Sequence, residues 1–120
     1  MEKENVQLCK KQVNFLEEIF GFTKKEALDI VGCIPDIIFS NDTHLVNNYN
    51  FIRDFSELET DKVNKLIFEY PSILVKTKSE SFNRIELYFQ IYINYTKKDL
   101  QKLIEKNPLL FIIDVKFFFI

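Results

Sequence analysis

Three prolines, Pro35, Pro71 and Pro108, stand 36 and 37 residues apart in a chain of 120. A proline stops the helix that runs into it, because its ring lacks an N–H and collides with the preceding turn. Near-equal spacing in this range is the mark of a helical repeat array. Counting back from each proline, the same apolar slots return: Ala27, Ile30 and Val31, then Val63, Leu66 and Ile67, then Leu100, Leu103 and Ile104. That spacing places each trio on one stripe of a helix.

Composition agrees with an all-α fold. Two glycines and three prolines are too few for the many tight turns of a β-sandwich or barrel. Hydrophobic residues at 47% and charged residues at 28% fit a folded chain.

The helix starts repeat as well. Thr23-Lys-Lys-Glu26 and Thr96-Lys-Lys-Asp99 each set a hydroxyl at an N-cap with a carboxylate three residues later, a capping-box arrangement. Glu26 is the better partner; Asp99, one methylene shorter, is read as favouring the helix dipole. Thr60 with Asp61 starts the middle copy, which lacks the reciprocal acid and runs one residue shorter to its proline. The spacing predicts helices over 24–33, 61–69 and 97–106.

Apolar residues follow each proline: Ile37, Ile38 and Phe39, then Ile73, Leu74 and Val75, then Leu109, Leu110 and Phe111. A short helical turn of 3₁₀ or α type is expected there as a plug between the longer helices. Further amphipathic stretches complete the pattern. Val6, Cys9, Val13, Leu16 and Phe20 form one stripe, ending before Gly21. Leu45, Tyr49, Ile52 and Phe55 follow a start at Asp42 or Thr43. Phe82, Ile85, Tyr88 or Phe89, and Tyr92 follow Ser79. One domain, 1–120, is expected, with units 6–39, 42–75 and 79–113 and an apolar end at 114–120.

The segments Gly21–Glu26 with Pro35–Ile38, Leu66–Leu74, and Tyr95–Leu100 with Leu103–Leu110 carry a family likeness. The motif sets an aromatic or a glycine before a Ser/Thr cap, then an amphipathic helix, then Pro-x-Leu-Leu or a close variant. Three copies in phase resemble the mitochondrial transcription termination factor (mTERF) family of helical-repeat proteins. The resemblance implies a short right-handed solenoid of about three repeats, in a mitochondrion or another organelle matrix. It also implies binding of DNA or RNA, including ribosomal RNA, through basic residues on phosphates, in transcription or on the ribosome. A bacterial chain of this kind would be cytoplasmic.

The net charge of −2 argues against a uniformly basic surface, but it hides an asymmetry of −5 over residues 1–60 and +3 over 61–120. Candidate phosphate contacts are Lys24, Lys25, Lys76, Lys78, Arg84, Lys97, Lys98, Lys102 and Lys106, with Arg53 beside them. Lys24/Lys25 and Lys97/Lys98 hold equivalent places at capped-helix starts, so they are expected on one edge. Two arginines are too few for bidentate guanine readout, which leaves backbone and shape recognition. The 13 phenylalanines and 5 tyrosines fall mostly on the apolar stripes and are assigned to the core. Tyr49 and Tyr70 are set apart as candidates for the surface.

The second reading is a protein-interaction module, either a subunit of a larger assembly or a bacterial or phage-like protein that occludes another macromolecule. The acidic N-terminal half favours it, and so does the apolar run Phe117, Phe118, Phe119 and Ile120, a candidate partner contact.

Chemistry is not expected. There is no glycine-rich phosphate loop, no paired nucleophile and base, and no metal or cofactor constellation. His44, the one histidine, lies near Ser40 and Asp42 in a segment read as helix capping. Cys9 and Cys33 are too few and too isolated for a disulfide framework or a zinc site, and are read as reduced, partly buried thiols in a reducing compartment. Acids in Met1–Glu4 speak against an import signal there, unless one has already been removed. The stretch Leu109–Ile120 is too short and too charged to span a bilayer.

Overall fold

The computed structural model describes residues 2–113, which contain helices and no strand. α1 (Glu2–Phe20) and α2 (Lys24–Cys33) lead into a 3₁₀ turn, Pro35–Phe39. α3 (Asp42–Ser56) and α4 (Thr60–Glu69) lead into a short helix, α5 (Ser72–Lys76). α6 (Ser79–Tyr88) widens into a π turn at Phe89–Ile93, and α7 (Lys97–Lys106) leads into a second 3₁₀ turn, Pro108–Ile112. All three prolines therefore stand where the pattern puts them, between a capped helix and a short plug.

The corners are copies of one another in backbone detail. The residue before each proline is held out of the helical region, as the Pro ring requires. Ile34, Tyr70 and Asn107 adopt φ of −135°, −134° and −136° with ψ of 76°, 69° and 70°. Each then accepts a hydrogen bond from three residues on: from the N–H of Ile37 at 3.0 Å, of Ile73 at 3.1 Å and of Leu110 at 3.1 Å.

A second repeated corner joins each long helix to the capped one. Gly21, Glu57 and Asn94 have left-handed φ of 79°, 55° and 63°. Each lies two residues before the cap residue, which is Thr23, Glu59 or Thr96. At the first corner Gly21 N–H bonds to Glu17 O at 3.1 Å, the single bond of an αL helix stop. The middle cap is thus Glu59, without a side-chain bond, and Thr60 is the first helical residue. With Glu59 as cap, the middle repeat is no shorter than the others between cap and proline. The extra residue of the 37-residue interval falls instead between Pro71 and α6. Other starts also move by one: Asn41 caps α3, accepting from Thr43 N–H at 2.8 Å, and Lys78 precedes α6 without a side-chain cap.

The nine slots before the prolines face inward, all buried except half-buried Leu103. They join Val13, Leu16, Phe20, Leu45, Ile52, Phe82 and Ile85 of the long helices in one core. Fully burying such a side chain contributes about 1.5–3 kcal/mol. Phe55, Phe82 and Phe111 meet at ring separations of 4.8–6.2 Å, so the second and third repeats share an aromatic core.

Side-chain amides tie the repeats at the carbonyls that the corners leave over. Gln12 Nε2 donates to Ile37 O at 2.6 Å, and Asn48 Nδ2 donates to Leu74 O at 2.8 Å. Both link a long helix to the plug of its own repeat. Asn64 Nδ2 donates to Phe20 O at 2.7 Å, and Gln101 Nε2 to Phe55 O at 2.8 Å. Both of these link a capped helix to the end of the long helix of the preceding repeat. Leaving a buried partner of such a bond unpaired costs about 1–3 kcal/mol, so these amides fix how one repeat sits on the next.

Two stripe residues, Val6 and Tyr92, prove exposed, and other burial assignments change as well. Tyr49 is buried, stacked on Phe20 at 4.4 Å with its hydroxyl donating to Asn64 Oδ1 at 2.8 Å. It orients the amide that bridges two repeats, and burial pushes its phenol pKa up against the opposing pull of Arg53. Val6 is exposed because α1 has 19 residues against 10 in α2, so its first turns run past the end of its neighbour. Tyr92 is 71% exposed because the widened π turn carries Phe89 inward and swings Tyr92 out. Cys33 is exposed and Cys9 half-buried, with no disulfide between them. Tyr70 is half-buried against the core.

Glu57 adopts a left-handed backbone that glycine holds at the equivalent corner. The strain for a side-chain-bearing residue exceeds glycine's entropic cost, so Glu57→Gly is expected to stabilise by about 0.5–1 kcal/mol. Thermal unfolding followed by circular dichroism should show the midpoint rising by about 2–5 °C; a lower midpoint would contradict the assigned corner.

Candidate nucleic-acid interface

The lysines at the capped-helix starts stand on the most sharply defined local geometry in the chain. Thr23 Oγ1 accepts from Glu26 N–H at 3.1 Å while Glu26 Oε1 accepts from Thr23 N–H at 2.9 Å. Thr96 and Asp99 make the same reciprocal pair at 3.1 and 2.9 Å. Asp99 therefore closes a full capping box, where the sequence reading gave it only a dipole role. Its shorter side chain still reaches, because the cap residue is extended and turns its N–H toward the first turn. Lys24 and Lys25 open α2, Lys97 and Lys98 open α7, and all four are exposed.

Lys97 is partly committed elsewhere. Its Nζ lies 3.9 Å from Glu57 Oε1 and 5.7 Å from the centre of the Phe55 ring. Arg53 is paired with the neighbouring Asp54 at 3.2 Å. No other ion pair occurs among the described residues, so the remaining candidate cations carry no such counter-charge there. Arg84 is exposed on α6.

Two grooves gather the other lysines. Lys102 and Lys106, one turn apart on α7, line a groove of about 410 Å³ with Asp99, Tyr95 and Ile93. Lys76 and Lys78 line a second, of about 510 Å³, with His44, Ser81, Ile112 and Ile113. His44 is not a helix cap. Its Nε2 lies 2.9 Å from Val75 O, and a carbonyl only accepts, so Nε2 carries the proton and ties α3 to α5. Asn48 Nδ2, 3.3 Å away, is then a second donor and bonds to Leu74 O instead.

Sequence reasoning missed one surface. Leu87, Ile91, Tyr92 and Ile93 are 55%, 68%, 71% and 42% exposed on α6 and its π turn. Periodicity set Tyr92 on the apolar stripe and gave Leu87, Ile91 and Ile93 no place, and only the π turn reveals which face is left out. The proposed contact at Phe117, Phe118, Phe119 and Ile120 lies outside the described residues. Among the described residues, no three His, Cys, Asp or Glu side chains gather as a metal site, and no helix is long and apolar enough to cross a membrane.

The Thr96 backbone N–H, then the Thr96 side chain, hold the Asp99 carboxyl below its ordinary pKa, with Lys102 assisting against slight desolvation. A carboxyl depressed in the folded state supports folding above its unfolded value of about 3.9, and that support fades as pH falls through the lower folded value. Titration of Asp99 followed by NMR should give a midpoint below about 3.9, and Thr96→Val should raise it. A midpoint at or above the ordinary value in the wild type would contradict the closed box.

No curated protein compared with this chain matches it. The sequence model of the mTERF family does, over residues 2–119, nearly the whole length and all three proline corners. With that coverage, the chain belongs to the mTERF family, whose helical-repeat members are generally non-catalytic nucleic-acid binders.

Proposed function

We propose that this chain binds the phosphate backbone of DNA or RNA, without catalysis, in organellar transcription or on the ribosome. Residues 6–39, 42–75 and 79–113 serve as three units of one binding domain. The supporting observation is the recurrence of an exposed lysine pair inside a closed capping box, between the cap residue and its acid, in α2 and again in α7. The box holds the helix start rigid, so its ammonium groups and the positive end of the helix dipole meet a phosphate together. Glu26 and Asp99 dilute that field, but both spend an oxygen on the cap residue's N–H. Lys24, Lys25 and Lys98 supply the free charge, and Lys97 joins them by leaving Glu57. Typical members of this family are organellar, which supports the compartment.

Counterion release makes such binding steeply salt-dependent. Fluorescence anisotropy with labelled duplex DNA and a structured RNA should show affinity falling about a hundredfold between 50 and 200 mM salt, as expected for roughly four phosphate contacts. Changing Lys24, Lys25 and Lys98 to Glu should weaken binding with the circular dichroism spectrum unchanged. No binding at the lowest salt would refute the proposal.

The apolar face of α6 favours a second reading, a protein-interaction module. Phe55 is buried under the following repeat, whereas Tyr92, at the corresponding position of the third repeat, lies in an exposed apolar cluster. Under this reading the protein associates with a partner or itself, and Ile91→Asp with Tyr92→Ser lowers the mass seen by light scattering. A monodisperse monomer before and after the change argues for the nucleic-acid reading alone.

A further inference from the structure

We infer that the groove between α3, α5 and the start of α6 is a phosphate-binding site, formed by Lys76, Lys78 and Ser81. This rests on the nucleic-acid reading above and assigns a specific seat to one phosphate of the bound strand.

Local backbone geometry brings the two lysines together. Thr77, between them, is 1% exposed and its hydroxyl donates to Ile73 O, which anchors the link to the end of α5. Thr77 and Lys78 are extended, with φ/ψ of −59°/133° and −125°/108°. Lys76 closes α5 and Lys78 follows it in extended chain; both are exposed and line the same groove, with the buried Thr77 between them in its wall. The sequence Lys-Thr-Lys therefore acts as a fork whose stem is buried. The far wall is held by the His44 bond to Val75 O, which fixes α3 against α5.

Charge separates this groove from the one on α7. The α7 groove includes Asp99 among its lining residues, whereas this one has no carboxylate among the described residues that line it. Neither Lys76 nor Lys78 has an ion-pair partner among the described residues. Two ammonium groups without a counter-charge, beside a hydroxyl, offer several donors to one anion, and lysine binds phosphate as a point charge. Ser81 lies in the first turn of α6, whose N-terminus has no side-chain cap, in contrast to the closed boxes of α2 and α7. Ile112 and Ile113, half-buried, give the groove an apolar floor. A volume of about 510 Å³ leaves room for a sugar beside the phosphate.

The test compares Lys76→Gln/Lys78→Gln with wild type in anisotropy against a short RNA and the matching DNA. It is paired with NMR titration of the wild type by inorganic phosphate, the RNA and polyglutamate. The expected result is a loss of affinity of tenfold or more, and a salt slope lower by about two. Inorganic phosphate and RNA should shift the amides of Lys76, Lys78 and Ser81, with polyglutamate far weaker. Equal affinity and slope for variant and wild type, or equal shifts with polyglutamate, would overturn the site. If inorganic phosphate moves these amides while neither nucleic acid binds, the site stands and the nucleic-acid reading fails. If nucleic acid binds and these amides stay still, the reading stands and the site fails.

Discussion

The fold depends on what happens to backbone carbonyls where a helix is made to stop. Each proline ends a helix and each left-handed corner ends another, and every stop frees acceptors that a packed interior must satisfy. This chain meets the need with side-chain amides, two from the same repeat and two from the next. Gln12 and Asn48 hold the plugs to the long helices, and Asn64 and Gln101 hold one repeat to the next. Apolar burial supplies most of the driving force but is indifferent to small sliding of helix on helix. The amides are not, because a bond of under 3 Å tolerates little displacement. They set the register, and the register sets where the lysines stand.

Much of this was legible in the sequence because proline and hydroxyl caps act locally. Pro35, Pro71 and Pro108 fix three corners by sterics alone, and the apolar slots before them are buried as spaced, with Leu103 half-buried. Glu59 gave no signal as a cap, since its side chain makes no cap bond and only the shared register with Thr23 and Thr96 identifies it. Glu57 gave none as a left-handed residue either, because only tertiary context overrides its steric preference. Tyr92 was misplaced because a π turn breaks the 3.6-residue period on which stripe reading rests. Tyr49 was set apart as a surface candidate, yet its hydroxyl has a buried errand, orienting Asn64.

The candidate surface was legible in composition and not in arrangement. Sequence picks out the lysines but cannot rank them. Lys97 spends part of its charge on Glu57 and the Phe55 ring, while Lys76 and Lys78, on either side of the buried Thr77, line a groove with no carboxylate among its described residues. A mild net negative charge is compatible with polyanion binding when free cations are grouped and acids are engaged in caps. The family match over residues 2–119 includes the corners that position these groups.

Lysine acetylation footprinting, read by mass spectrometry with and without bound nucleic acid at low salt, tests the central claim most directly. The account predicts that Lys24, Lys25, Lys76, Lys78 and Lys98 lose reactivity in the complex, while Lys10 and Lys11 on α1 keep theirs. Uniform reactivity across all of these lysines, with nucleic acid demonstrably bound, would contradict it.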